Sequence, residues 1–402
     1  MRDRWLRLAI GAVLTLFLGL IYAWSLFVTP IEADLGFSRP ETSLTFTISM
    51  SCFSLGSLLG GILLKKKTPR FTMCLSAVMI LAGFVLCSRT ALPVHIFLSY
   101  GMILSLGVGI CYISVMNSVN SWFKDRVGVA SGALLMGFGA GGFVLGGLAT
   151  KLFGLFGWRS TFLIFGIAFA VCILAGSFIM VMPGSDVIWP EPKANAKANA
   201  KASKKESYGA DMTPAELVRR PSFYIIFLWL MLMLAAGLSV IGNAATFALS
   251  LGATAQLAVA ATGTMSICNG LGRLMFGSLY DSIGRKTCML LNSILLMLGM
   301  TLLIASSNME SIALMFVAYV CVGLAYGGVP TTNSAITMSF YGAKNYAVNF
   351  SIVALCIIPA ALLGPYLAGN LYTASGAYVS SFIVMLCVTA VALVTGQLIK
   401  KP

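Results

Sequence analysis

Apolar runs of about twenty residues recur along nearly the whole of this 402-residue chain, and no other feature constrains its fold as tightly. One helical crossing of a bilayer core takes about 20 apolar residues. Twelve such runs are predicted, near residues 7–28, 43–64, 71–88, 94–120, 127–150 and 160–182, then 222–246, 254–278, 287–305, 311–338, 346–370 and 376–398. Short turns join most of them, so neighbouring helices should run antiparallel. Composition agrees: 9% of residues are charged, against about 25% in an ordinary soluble domain. The chain reads as an all-α membrane protein of twelve transmembrane helices whose permanent partner is the lipid bilayer.

The basic N-terminus, MRDRWLR, is read as the flank of the first span, because the apolar run after it is long and no small-x-small cleavage site precedes the polar loop. The ten cysteines lie almost all within spans and show no CxxC or disulfide-like spacing, as packing residues would. A net charge of +14 could suggest nucleic acid, but its distribution excludes that reading. With the N-terminus inside, 21 of the 26 Lys and Arg residues fall on the cytoplasmic side, and only Arg39, Arg89, Lys151 and Arg159 on the other. The positive-inside rule then places both termini in the cytoplasm. Arg273 is the one base left over, and it stands inside a span.

Residues 183–221 interrupt the pattern with a Lys/Ala/Asn-rich stretch, KANAKANAKASKK, that cannot bury a core and reads as a cytoplasmic linker. It divides the chain into a six-helix half at residues 1–182 and another at 222–402. The halves repeat. An offset of 216 residues lays CFSLGSLLGG (52–61) on CNGLGRLMFG (268–277), which makes Ser57 the counterpart of Arg273. CYISVMNS (111–118) likewise resembles AYGGVPTTNS (325–334), placing Tyr112 and Tyr326 on corresponding helices.

An arginine at a helix centre costs about 2.5–3.5 kcal/mol on insertion scales and needs an anion or a water-filled space. All twelve acidic residues fall in loops or at span ends, so no carboxylate at the membrane centre can neutralise Arg273. Two readings are left: the side chain snorkels to the nearby cytoplasmic end, or it binds an anionic substrate, and the inventory favours the second. A guanidinium suits a carboxylate because its fork donates two parallel hydrogen bonds. Asn269, one turn earlier on the same face, either orients the guanidinium, contacts ligand or packs helices. Tyr22, Tyr112 and Tyr326 lie within spans, away from the interfacial belts, and each offers an apolar wall with a hydroxyl. The spans hold no clustered acid, base or metal ligands, which argues against an enzyme, a metal site or a cofactor. GSLYDSIGRK reads as a tight cytoplasmic turn, with Asp281 and Arg285 as candidate gating residues; its counterpart in the first half has Lys65 in place of the acid.

NSVNSWFKDRVGVASG (117–132), RRPSFY (219–224), NGLGR (269–273), GSLYDSIGRK (277–286) and TTNSAITMSFYGAKNY (331–346) together resemble the oxalate/formate antiporter and bacterial monocarboxylate transporter branch of the major facilitator superfamily. The resemblance covers essentially the full chain and implies the major facilitator fold, with substrate bound between the halves near the bilayer midplane. It implies that Arg273 grips a substrate carboxylate, that Tyr22, Tyr112 and Tyr326 help box the ligand, and that Phe350 fills an aromatic position on the eleventh helix. Two departures matter. Where oxalate exchangers place an eleventh-helix lysine this chain has Val353, so a monocarboxylate is expected before a dianion. Where animal monocarboxylate transporters carry an aspartate one turn before the arginine this chain has Asn269, so a co-transported proton would need another carrier. The only histidine, His95, lies near the outer mouth of the fourth span and reads as an interfacial residue. The expectation is a monomeric carrier in a bacterial inner membrane, moving lactate or pyruvate, with formate or oxalate exchange as the rival and a non-transporting sensor behind it.

Overall fold

The computed structural model describes residues 2–64, 66–123, 127–183, 211–342 and 345–401, and its regular structure there is helical. Helices α1 (Arg4–Leu35), α2 (Arg39–Leu63), α3 (Pro69–Ser88) and α4 (Pro93–Trp122) follow one another through short turns. The next helix, Val127–Ile179, breaks at Gly157, whose φ of 74° and ψ of 164° interrupt the helical path. Its arms are α5 (residues 127–156) and α6 (residues 158–179). A short helix at Pro214–Val218 precedes α7 (Pro221–Ser250), α8 (Ala255–Ile283), α9 (Arg285–Asn308), α10 (Ile312–Tyr341), α11 (Val348–Ser375) and α12 (Val379–Leu398).

Among the described residues ten helical stretches are long and apolar enough to cross a bilayer, and the 48-residue Gly132–Ile179 counts as one of them. Although α8 is 29 residues long it is not among the ten, because Thr, Ser, Asn, Gly and Arg273 dilute its apolar content. Apolar length gives ten such stretches, and the twelve spans expected from sequence require in addition that α5 and α6 cross separately and that α8 crosses as well. The helices alternate in direction, so the turns at 36–38, 251–254 and 376–378 share the end of the bundle opposite the two termini.

Local chemistry sets the helix starts. Ser38 and Glu41 form a capping box on α2, and the Thr68, Thr254 and Ser311 hydroxyls accept from the third amide of α3, α8 and α10. The expected linker lies mostly outside the described residues. Its last residues dock on the α10–α11 turn, where the Met212 amide donates to the Tyr341 carbonyl (3.0 Å) and the Met212 carbonyl accepts from the amides of Asn345 (3.0 Å) and Asn349 (3.1 Å).

Glycines set how closely the helices approach, and they do so twice. A methyl added at Gly56 of α2 would strike the Leu106 backbone of α4; one at Gly272 of α8 would strike the Leu324 backbone of α10. Gly109 meets the Phe53 carbonyl as Gly327 meets the Asn269 carbonyl, and Gly83 meets Leu104 as Gly299 meets Val322. Each pair keeps the 216-residue offset on α2/α8 and α3/α9 but shows an offset of 218 on α4/α10. Tyr112 and Tyr326 therefore stand on corresponding helices but a turn apart in register, with Pro330 at the position equivalent to Tyr112. Without a hydrophobic drive between helices in lipid, such backbone-to-backbone contacts supply much of the association.

Gly56→Ala and Gly272→Ala are each expected to destabilise the protein by about 1–3 kcal/mol, the usual range for overpacking. Gly61→Ala, where nothing lies within 4 Å of the new methyl, should be neutral or slightly stabilising. Thermal unfolding in detergent checks this, and one melting temperature for all three variants would contradict the packing account.

Candidate functional site

Arg273 sits on the face of α8 that meets α5, where Gly139 packs on Gly270 and Gly142 on the Ser266 side chain. The arginine is 6% exposed, and its Nε has no hydrogen-bond partner. Because α8 continues to Ile283, ten residues or about 15 Å of helix separate Arg273 from the end of the helix. Burial at that depth leaves the guanidinium within the bundle instead of at a snorkelled surface. Asn269 is 3% exposed and its Oδ1 is also unpartnered, so this oxygen does not take a bond from the arginine one turn away. Leaving a buried polar group unpaired costs about 1–3 kcal/mol, more when it is charged. A donor and an acceptor that protein atoms leave open on one helix face suit a ligand bearing both kinds of group.

Three of the four rings expected from sequence, Tyr22, Tyr112 and Tyr326, gather here, joined by two that were not expected. Tyr22 lies in a 3₁₀ stretch, Gly19–Ala23, that interrupts α1 where Gly19 packs on the Phe138 backbone and Gly141. Its ring meets Tyr326 edge-on at 6.1 Å between centroids and Phe138 at 5.3 Å. Phe138 continues to Tyr112 at 5.2 Å and Phe53 at 5.7 Å, and Phe53 meets Tyr112 at 5.5 Å. Tyr326 is the link to the cation-bearing helix, since Gly327 beside it packs on the Asn269 carbonyl of α8, one turn before Arg273. Gly237 of α7 makes room for the Tyr326 ring, and Pro330 removes the amide that would bond the Tyr326 carbonyl. Rings from α1, α2, α4, α5 and α10 thus converge beside one arginine.

Phe53 and Phe138 escaped the sequence reading because a phenylalanine inside a span looks like packing. Phe53 had a signal: the 216-residue offset makes it the counterpart of Asn269. Ser57, the counterpart of Arg273, turns its hydroxyl onto the Phe53 (3.0 Å) and Gly109 (3.3 Å) carbonyls. Phe350 is half-buried in the first turn of α11, one turn before the fully buried Val353. Of the two gating candidates, Asp281 has a side chain outside the described residues. Arg285 donates to the Ile399 carbonyl at 3.0 Å and lies 5.2 Å from the Phe340 ring. His95 is exposed in the first turn of α4, where its Nδ1 accepts from the Ala91 amide.

Arg273→Leu is expected to leave the ligand-free protein as stable as the parent or more so, because an unsatisfied cation leaves an apolar setting. The same change should abolish stabilisation by small carboxylates, which for the parent at 100 times Kd amounts to about 2.7 kcal/mol. Melting curves with and without carboxylate measure both; a large loss of ligand-free stability would show the arginine to be scaffold.

Comparison with known proteins places this geometry in a family. The profile of the Major Facilitator Superfamily matches residues 8–357 and 233–400. The oxalate:formate antiporter of Oxalobacter formigenes is 27% identical over 99% of this chain and 94% of its own length. Human monocarboxylate transporter 12 is 23% identical over 89% of this chain and 72% of its own length. Among solved structures, a bacterial homologue of the human lysosomal transporter Spinster, in an inward-facing and unoccupied conformation, superposes with a TM-score of 0.76 at 14% identity, covering 99% and 97% of the two chains. A D-xylose–proton symporter gives 0.70 at 15%, covering 98% and 97%. These likenesses in fold and sequence are those of a membrane transporter and not of an enzyme, and the chain belongs to the Major Facilitator Superfamily.

Proposed function

We propose that this transporter carries small monocarboxylates of the lactate or pyruvate type by alternating access, with Arg273 as the carboxylate-binding group. The observation that carries the reading is the buried guanidinium with an unpartnered Nε, set one turn from an unpartnered Asn269 carbonyl and beside Tyr22 and Tyr326. A carboxylate supplies the missing acceptor, a hydroxyl next to it can donate to Asn269 Oδ1, and a hydroxyl or carbonyl there can accept from the phenols. Tyr112, Phe53 and Phe138 then face the short carbon skeleton, with Phe350 as a further aromatic neighbour. A monoanion matches a single cation, and α11 offers the fully buried Val353 in place of a second one.

In this reading residues 1–182 and 222–402 rock about the site, the linker at 183–221 joins them, and Asp281 and Arg285 act at the cytoplasmic turn. The excess of basic residues on one side supports a cytoplasmic position for both termini, in a carrier that acts as a monomer in a bacterial inner membrane. Binding and closure are coupled because drying an empty Arg273 is unfavourable, whereas a bound anion neutralises it. A proton accompanies the substrate. The rival, formate or oxalate exchange, is favoured by the similarity to the oxalate:formate antiporter.

Uptake of labelled L-lactate into proteoliposomes, with and without an inward proton gradient and with excess oxalate as competitor, tests the proposal. Proton-stimulated uptake indifferent to oxalate is the expected result; oxalate exchange without lactate flux refutes it. Arg273→Lys keeps the charge but loses the fork, and should lower uptake at least about tenfold, the equivalent of one charge-assisted hydrogen bond. Phe138→Ala should admit longer monocarboxylates, read as a rise in relative uptake of hexanoate over lactate, whereas an unchanged ratio would place Phe138 outside the substrate's reach.

A further inference from the structure

We infer that Arg39, Glu32 and Tyr372 form a latch that holds shut the end of the bundle opposite the termini. The inference rests on the alternating-access reading but not on which anion is carried. The seam there joins the start of α2 to the end of α11. The Thr47 hydroxyl donates to the Ala361 carbonyl at 2.8 Å, and Gly369 packs on Ser43 and on the Arg39 carbonyl. Pro365 lacks the amide that an α-helix would aim at the Ala361 carbonyl, and α11 is wound as a π-helix over Leu362–Tyr366 at this contact. Outward of this contact, the Arg39 guanidinium lies 5.5 Å from the Tyr372 ring centroid and so crosses the seam as a cation over an aromatic face.

Glu32 aims the arginine without crossing the seam itself. Its Oε2 accepts from Arg39 Nη2 at 2.9 Å, and its Oε1 accepts from the Thr42 hydroxyl at 2.7 Å. Trp24 fixes the same corner by donating its indole N–H to the Thr42 carbonyl at 2.9 Å. On the far side, Tyr372 stacks on Tyr378 at 4.4 Å, and the Tyr378 and Thr246 hydroxyls are 2.8 Å apart. Each side of the seam is therefore braced within its own half, and the guanidinium–ring contact is the charged piece between them.

Two features make this a latch instead of a permanent staple. Arg39 Nε and Nη1 are buried without hydrogen-bond partners, so opening the seam lets water satisfy them and lowers the cost of release. The two tyrosines also line an open cleft of about 180 Å³, with Phe247, Leu251 and Glu310, so the Tyr372 ring has free space beside it. The closed seam is held firmly in position but weakly in energy, as a gate that must open in every cycle requires.

The test uses spin labels on cysteines placed at Ala33 of α1 and Ala374 of α11, both exposed, in protein whose exposed and half-buried native cysteines are serine. Pulsed-dipolar distances are read without substrate. The parent should show mainly the short distance, and Arg39→Ala and Tyr372→Leu should each raise the long-distance population about tenfold relative to the short, the order of one partly buried cation–aromatic contact. Tyr372→Phe keeps the aromatic face and should match the parent, which also guards against a variant that misfolds. Unchanged distances in both Arg39→Ala and Tyr372→Leu, or a shift in Tyr372→Phe as large as in Tyr372→Leu, overturn the latch. Because no substrate is present, the outcome is independent of whether lactate is the cargo.

Discussion

A guanidinium held inside the bundle with part of its hydrogen-bonding capacity open is the interaction on which the rest of this structure depends. Burying an unsatisfied guanidinium carries a cost that the fold itself has to bear. What the fold can do is place that cost where a substrate removes it. A ligand whose carboxylate accepts from Arg273 and whose hydroxyl donates to Asn269 Oδ1 changes the relative stability of open and closed arrangements, and a difference between states is what a carrier needs from its ligand.

The glycine contacts explain how such a site stays in register. Gly272 and Gly327 bring α8 and α10 together on either side of Asn269, so the backbone around the arginine has little freedom to shift. Gly56 and Gly109 do the same for α2 and α4, which carry Phe53 and Tyr112. Duplicated packing thus serves a site that is not duplicated: the first half presents Ser57, satisfied by its own backbone, where the second presents the cation. The asymmetry lies in side chains, and the scaffold beneath them is nearly the same on both sides.

Much of this was legible in the sequence because bilayer burial acts on long windows of residues. Span positions followed from apolar length, and Arg273, Asn269, Tyr22 and Tyr326 stood out as polar groups in apolar surroundings. Boundaries were less visible. The first span was expected to end at residue 28, whereas α1 runs on to Leu35 and carries Glu32 into the seam, where Thr42 and Arg39 bind it. Hydropathy could not show that continuation, since an acid near a span end looks the same whether it faces water or a partner. Phe53 and Phe138 were hidden for the opposite reason, as apolar residues whose value depends on what they face. The register shift between α4 and α10 was invisible too, because helix packing and not residue identity defines it.

The proposed charge recognition by the buried Arg273 is tested most directly with a matched ligand pair. Lactate and lactamide have nearly the same size and hydroxyl but differ in whether they bring a negative charge. Equilibrium binding to the purified protein should favour lactate by at least about 100-fold, because the amide leaves the cation unneutralised in a site organised around a carboxylate. Equal affinity for the two would mean that the arginine is not the group that recognises substrate, and the proposed coupling of binding to closure would lose its physical basis.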